Sequence, residues 1–339
     1  MKKIITTFFI CSIVISGLSQ SYDSSQNKKS IFYDDWPVTV KSNASATQIY
    51  KDGTTKFIPI GTKWDHRIIT YFFQNGTNDI VGNNEQQAIR DGFSLWSAQT
   101  NLYFLEVCSA DNADIVFLWG TFNHGDEGPF DGEGGILAHT LGGPPPNEFG
   151  DRAGDIHFDD SETWTLNVRN NNAQPIDLIT VAAHEIGHAL GLNHTTVTGS
   201  LMLANYTGSH RFLGSDDIAG IQNLYGVVQT SNIPISGPFT VCSYGATFGI
   251  SNLPPVDSII WGAGPYLTVY SGQNTNSPII KATGNGSSWV QARLVTACGS
   301  ITLPRKEVWA GVPDFPVLSL VTPSYVSIGS HHSVSVESP

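Results

Sequence analysis

Between positions 184 and 194 the chain reads His184-Glu185-Ile186-Gly187-His188-Ala189-Leu190-Gly191-Leu192-Asn193-His194. These are the side chains of a three-nitrogen zinc centre with its own base. Residues four apart share a helix face, so His184 and His188 can reach one ion together. A third imidazole at helical spacing would face elsewhere. Gly191 resolves this: lacking a Cβ, it can take the left-handed conformation that ends a helix, and the returning chain brings His194 to the same ion. Glu185, next to the first ligand, is placed to accept a proton from zinc-bound water rather than to bind the metal. Two helical histidines can also be partners of core carboxylates, but five specified residues at fixed offsets weigh for the metal.

Only two methionines occur, and one is Met1. The other, Met202, follows His194 by eight residues in Gly199-Ser200-Leu201-Met202. The pattern resembles the metzincins, in which a methionine-bearing turn floors the three histidines. The alternative is a core gap-filler.

The 339 residues carry a formal charge of −12, 34 glycines and 18 prolines. Nothing resembles a basic stripe, so nucleic acid is disfavoured as a partner. Met1-Lys2-Lys3 followed by the apolar run from Ile4 to Ile15 reads as a signal peptide, with cleavage expected after Ser19. The run is too short to span a membrane, and no other stretch approaches that length. The mature protein is therefore expected to be secreted. Cys11 would leave with the signal. Of the rest, Cys242 and Cys298 fall in one C-terminal region and are expected to pair, leaving Cys108 as a buried thiol.

Residues 20–55 are polar and irregular and read as a short pro-segment or linker. From Lys63 the pattern changes. Arg67–Phe73 and Asp114–Trp119 have strand character. Between them Asn83 or Asn84 can cap a helix reaching Gln99, with Ala88, Ile89, Phe93 and Trp96 as its buried stripe. A helix from about Ile176 to Gly191 carries the zinc motif, and a last one covers Asp216–Tyr225. This predicts an α+β catalytic domain over 56–228, with three helices on a mixed, twisted sheet. Residues 229–312 alternate apolar and polar residues between turns and read as an all-β, Ig-like sandwich module. Its Trp261, Trp289 and Trp309 are expected in the core. Residues 313–339 form a tail or an incomplete further module.

A second metal region is legible between the strands. His124, Asp126, His139 and His157 make a three-nitrogen, one-oxygen set suited to a structural zinc. Asp131, Asp159 and Glu162 beside a glycine loop suit calcium. Spacing alone leaves a solvated loop with scattered histidines equally open.

The order of these segments carries more. The motifs H-x-D, F-D-G-x-G-G-x-L-A-H, H-F-D-x-x-E-x-W-T, the zinc helix, L-M and D-D-I-x-G-I-Q-x-L-Y-G resemble the matrixins, the matrix metalloproteinase family, over about residues 60–227. The resemblance implies a zinc endopeptidase with Zn2+ and Ca2+ as cofactors and proteins or peptides as substrates. It implies a structural zinc on His124, Asp126, His139 and His157. One calcium is implied on Asp131, Asp159, Glu162 and the carbonyls of Gly132, Gly134 and Ile136, and a second on Asp114 and Asp155. Leu137 and Ala138 would lie on the edge strand that pairs with substrate. Tyr206 would line the pocket for the residue after the scissile bond, and Thr180 would stand at its floor. Gly142–Gly154 is longer and more proline-rich than the family pattern, and Ala204 replaces a usual proline. No P-R-C-G-type cysteine occurs upstream, so thiolate latency is absent and Asp34 or Asp35 becomes the candidate to block the zinc. A monomer is expected. An adhesion protein with vestigial peptidase activity is the alternative, against which the intact Glu185 argues. Another metzincin branch is a second alternative, disfavoured by Thr195 after His194 and by the His124–Glu162 region.

Overall fold

The computed structural model describes residues 57–126, 128–229 and 233–312, with the backbone of Val38 and Thr39. The catalytic sheet is built from β1 (Val38–Thr39), β2 (Ile68–Phe73), β3 (Tyr103–Glu106), β4 (Ile115–Gly120), β5 (Ile136–Thr140) and β6 (Ile156–Asp159). Its order is β1-β5-β6-β4-β2-β3, with β5 antiparallel to both neighbours and the remaining pairs parallel. A short parallel pair, β7 (Trp164–Thr165) and β8 (Ile176–Asp177), leads into the second helix.

Helix α1 (Asn84–Ser97) buries Ala88, Ile89, Phe93 and Trp96, the expected stripe. Asn83 is its N-cap residue, although its side chain makes no capping bond. Helix α2 (Leu178–Ala189) is started by Asp177, whose carboxylate accepts the Ile179 N–H. The helices pack where Gly92 lies against Ala183, so close that a Cβ there would meet Ala183 backbone at 3.3 Å. Trp96 Nε1 donates to the Ala183 carbonyl at 2.9 Å, so this large ring is buried with its one polar atom satisfied. Helix α3 (Ser215–Tyr225) closes the domain.

The C-terminal region is all-β, as expected. Its strands are β9 (Ile235–Ser236), β10 (Thr240–Val241), β11 (Ala246–Thr247), β12 (Gly249–Ile250), β13 (Ser258–Ala263), β14 (Leu267–Ser271), β15 (Ile279–Ala282), β16 (Gly286–Val295), β17 (Ser300–Thr302) and β18 (Lys306–Ala310). β16 is the spine of a five-stranded sheet with β10, β13, β17 and β18, and β14, β15 and β11 form a second sheet. Trp261 is buried between strands, whereas Trp289 and Trp309 are only half-buried.

This module shares a core with the catalytic sheet. Ile68 and Leu105, both essentially inaccessible, join Ile235, Ile259, Leu294 and their neighbours rather than the catalytic core. That explains why β2 is apolar along almost its whole length instead of alternating: both faces are covered. Thr296 Oγ1 donates to the Glu106 carbonyl at 2.6 Å, and Asn101 and Gln229 exchange two hydrogen bonds across the junction.

The disulfide joins Cys108 to Cys298, not Cys242 to Cys298, and Cys108 is exposed rather than a buried thiol. Geometry along β16 gives the reason. Cys242 follows β10, which through β18 is registered with Gly286 at the start of β16. Cys298 follows Val295 at its other end, a strand length of about 30 Å away. There the β16–β17 turn abuts Glu106, two residues from Cys108.

Peptide mapping of the oxidised chain is expected to recover a Cys108–Cys298 cross-link. Replacing both residues by serine is expected to cost about 2–4 kcal/mol, seen as a lower denaturation midpoint. An unchanged midpoint would mean that the bridge adds nothing to the packed junction.

Candidate active site and metal centres

His184 and His188 leave one face of α2, which ends at Ala189, and Gly191 with φ +102° turns the chain out of the helix. A Cβ on Gly191 would come within 2.5 Å of the Thr62 carbonyl, so no other residue fits the turn. The chain then returns His194 to the same point. The three Nε2 atoms stand 3.0, 3.1 and 3.2 Å apart. Nitrogens bound tetrahedrally to zinc at its usual bond length are ~3.3 Å apart, so the donor set fits that ion.

Their outer nitrogens are held as a ligand requires. His184 Nδ1 lies 2.8 Å from the Leu201 carbonyl and His188 Nδ1 2.7 Å from the Leu192 carbonyl. Each carbonyl accepts a hydrogen bond from Nδ1–H, which leaves the Nε2 lone pair facing inward. Burial, with the neighbouring imidazoles, lowers His184 to about 3 and His188 well below its ordinary value, so both are neutral and ready to ligate.

Beneath them lies Met202, 2 % exposed. Gly187 faces it so closely that a Cβ would meet its Sδ at 2.4 Å. The turn is shaped by Asp217 at the start of α3. Its buried carboxylate accepts the N–H groups of Leu201, Met202 and Gly214 and the Ser200 hydroxyl. Sequence reading placed Asp217 in a motif but gave it no role.

Glu185 is 1 % exposed, and burial pushes it up to about 8 against the opposing bond from Thr140. Thr140 Oγ1 donates to Glu185 Oε2 at 2.7 Å, while Oε1 is buried without a protein partner. An orphaned carboxylate oxygen beside three converging imidazoles fits a site that takes a further group. Thr140 is a second residue that sequence reading missed.

The His124 region gathers as a second centre. His124 Nε2, His139 Nε2 and His157 Nδ1 surround Asp126 Oδ2 at 3.0, 2.8 and 2.6 Å. All four side chains are nearly inaccessible. Burial works against the Asp126 charge, yet the imidazoles of His139 and His157 hold its carboxyl well below the usual range. A closed N3O set of this kind suits a structural zinc.

The glycine loop folds back on Asp131, whose Oδ1 accepts the Ile136 N–H at 3.0 Å. Gly132 and Gly134 both take positive φ. Glu162 Oε1 accepts the Gly134 N–H, and Asp159 Oδ2 is buried without a protein partner. Burial, with the charges of Asp159, Asp131 and Glu133, pushes Glu162 up to about 7. Crowded carboxylates with an orphaned oxygen fit a hard cation such as calcium. The pair implied for a second calcium is engaged otherwise. Asp114 Oδ2 accepts from Thr70 and lies 3.2 Å from His66 Nε2, while Asp155 Oδ1 accepts the Val116 N–H.

Leu137 and Ala138 lie on β5, next to His139. A cavity of about 40 Å³ beside His184 is lined by Thr180, Leu201, Tyr206 and His210. The Thr180 hydroxyl donates to Asp177 and accepts the His210 N–H, and the Tyr206 oxygen accepts the Asp177 N–H. These bonds make the wall rigid. A larger cavity, about 560 Å³, lies between α1, β3 and β17, away from all three centres.

An α+β domain with the zinc helix, its glycine exit and a methionine floor is a metzincin fold. Residues 63–226 match the matrixin family, peptidase M10, and over that span the chain is a matrixin domain, a type that uses zinc and calcium. The whole chain is similar to karilysin of Tannerella forsythia, 33 % identical over 331 residues, covering 97 % of this chain and 62 % of that protein. Interstitial collagenase of Equus caballus is 45 % identical over 190 residues, 55 % of this chain and 38 % of the relative. Neutrophil collagenase of Homo sapiens is 40 % identical over 195 residues, 56 % of this chain and 39 % of the relative. The chain thus spans less than two thirds of the length of these relatives.

Because the folded state holds the Glu162 proton more tightly than the unfolded chain does, its contribution to stability is full below its ordinary value of 4.5 and lost as pH rises through about 7. Calcium-free protein is therefore expected to melt lower at about pH 7 than at about pH 5.5. Added calcium should restore the loss, and less so in Glu162→Gln. Calorimetry showing no calcium response at neutral pH would remove the assignment.

Proposed function

We propose that this chain is a secreted zinc-dependent endopeptidase that hydrolyses internal peptide bonds of proteins, with Glu185 as general base. The observation that carries the reading is the convergence of His184, His188 and His194 on one point, beside a buried carboxylate with one unpartnered oxygen. Zinc held by these three imidazoles would supply a water of lowered pKa and a Lewis acid for the peptide carbonyl. Glu185 takes the proton as that water attacks and delivers it to the leaving amine. Substrate lies extended along β5 at Leu137 and Ala138, and the side chain after the scissile bond enters the cavity walled by Thr180 and Tyr206. His124, Asp126, His139 and His157 hold a structural zinc. Asp131, Asp159 and Glu162, with the Gly132, Gly134 and Ile136 carbonyls, hold calcium. A second calcium on Asp114 and Asp155 requires displacement of His66.

The protein acts as a monomer and is made as a zymogen. Support for latency comes from β1, which pairs antiparallel with β5, Val38 opposite Ala138 and Thr39 opposite Ile136. That is the edge substrate needs. Asp34 and Asp35, the candidates to cover the zinc, lie outside the described residues. Export is supported by the N-terminal basic and apolar run. No helix among the described residues is long and apolar enough to cross a membrane.

Glu185→Ala is expected to lower kcat/KM on a quenched peptide library by about 10²–10⁴-fold while zinc is retained, and a chelator should abolish wild-type cleavage. A wild type that binds zinc and cuts nothing would sink the reading. Proteolytic release of residues 20–55 should raise activity, and equal rates before and after release would remove the zymogen. Unchanged latency in an Asp34→Ala/Asp35→Ala pair would show that neither carboxylate is the block.

A further inference from the structure

We infer that Thr140 is a positioning residue for Glu185, one that holds the carboxylate in the orientation proton transfer requires. The inference rests on Glu185 acting as the base. Thr140 is the last residue of β5, directly after the metal-ligating His139. Its hydroxyl reaches across to α2, where Oγ1 lies 2.7 Å from Glu185 Oε2 and 3.0 Å from the Glu185 carbonyl. A hydroxyl has one proton, so the two acceptors share it. The shared bond fixes both ends of the glutamate, its main chain and one carboxylate oxygen.

That anchoring has a chemical consequence. A glutamate side chain has three rotatable bonds and would otherwise sample several rotamers. With Oε2 occupied, Oε1 is the oxygen left to act, and it is the one buried without a protein partner. When Glu185 is ionised, as its role as base requires, the hydrogen bond from Thr140 is stronger than one between neutral groups. The β-branch of threonine narrows its own χ1, so the donor itself is held. Thr140 also belongs to the strand proposed to pair with substrate. Strand and base are therefore joined through one hydroxyl.

The test uses the activated full chain as wild type, Thr140→Val, Thr140→Ser and Glu185→Ala, assayed on one peptide. Thr140→Val keeps the shape and removes the donor. It is expected to lower kcat by about 10- to 100-fold, with KM within about twofold and zinc content and melting temperature unchanged. Thr140→Ser should recover kcat to within about threefold of wild type. A crystal structure of metal-free Thr140→Val should show the Glu185 carboxylate rotated from its wild-type position. An unchanged kcat in Thr140→Val, a serine variant as slow as the valine one, or loss of zinc in Thr140→Val would each overturn the assignment. If Glu185→Ala itself cleaves at the wild-type rate, the general-base reading fails first and takes this inference with it.

Discussion

Three imidazole nitrogens held about 3 Å apart with their lone pairs facing one another are an unfavourable arrangement unless something binds them, and much of the catalytic domain works to impose it. Helix α2 supplies two on one face, and Gly191 supplies the reversal that returns the third. The Leu201 and Leu192 carbonyls orient the outer nitrogens. Leu201 is itself held by Asp217, so His184 is supported through a chain of satisfied bonds that ends on α3. Gly187 lets the methionine turn approach the helix, and Gly92 lets α1 do the same from the other side. Either glycine replaced by alanine would push apart elements whose spacing the imidazoles share.

What could be read from the sequence follows from how local each feature is. The zinc helix was legible because its ligands lie within eleven residues, two of them one helical turn apart and the third returned by the glycine exit. The helices and central strands were legible through their apolar patterns, α1 above all. The His124–Glu162 region was legible only in part: residues about 30 apart meet through sheet register, and His139 and His157 pair across β5 and β6. Spacing alone carries no such information, so the resemblance had to decide. Thr140 and Asp217 act through hydrogen bonds to residues of other elements, which leave no periodic trace. The disulfide was misread because proximity in sequence was taken for proximity in space, whereas β16 holds Cys242 and Cys298 at opposite ends.

The second metal region shows a related economy. Asp126 is an anion among three imidazoles, whereas Glu162 sits among other carboxylates; burial works against both charges, but the imidazoles pull Asp126 down while the neighbouring carboxylates push Glu162 further up. One cluster supplies part of its own compensation and the other requires a cation. Both join the loop that leads into β5 to β6 or its exit, through His157 in one case and Asp159 and Glu162 in the other. Cations at these sites would therefore govern how rigidly β5 is presented.

A sheet of this kind has two edges, and unpaired edges invite other strands. At β3 the edge is closed: the β-sandwich packs over it, buries Ile68 and Leu105 in a shared core and is bridged to it by Cys108–Cys298. At β5 the edge is paired, among the described residues, with Val38 and Thr39 of β1, with an irregular register between them. Strand pairing without a covalent bridge among the described residues makes this the easier cover to exchange for another extended chain. The asymmetry gives the sheet one permanent edge and one replaceable edge. The replaceable edge is the strand that also carries His139 and Thr140, so any peptide that pairs there is brought alongside the zinc helix.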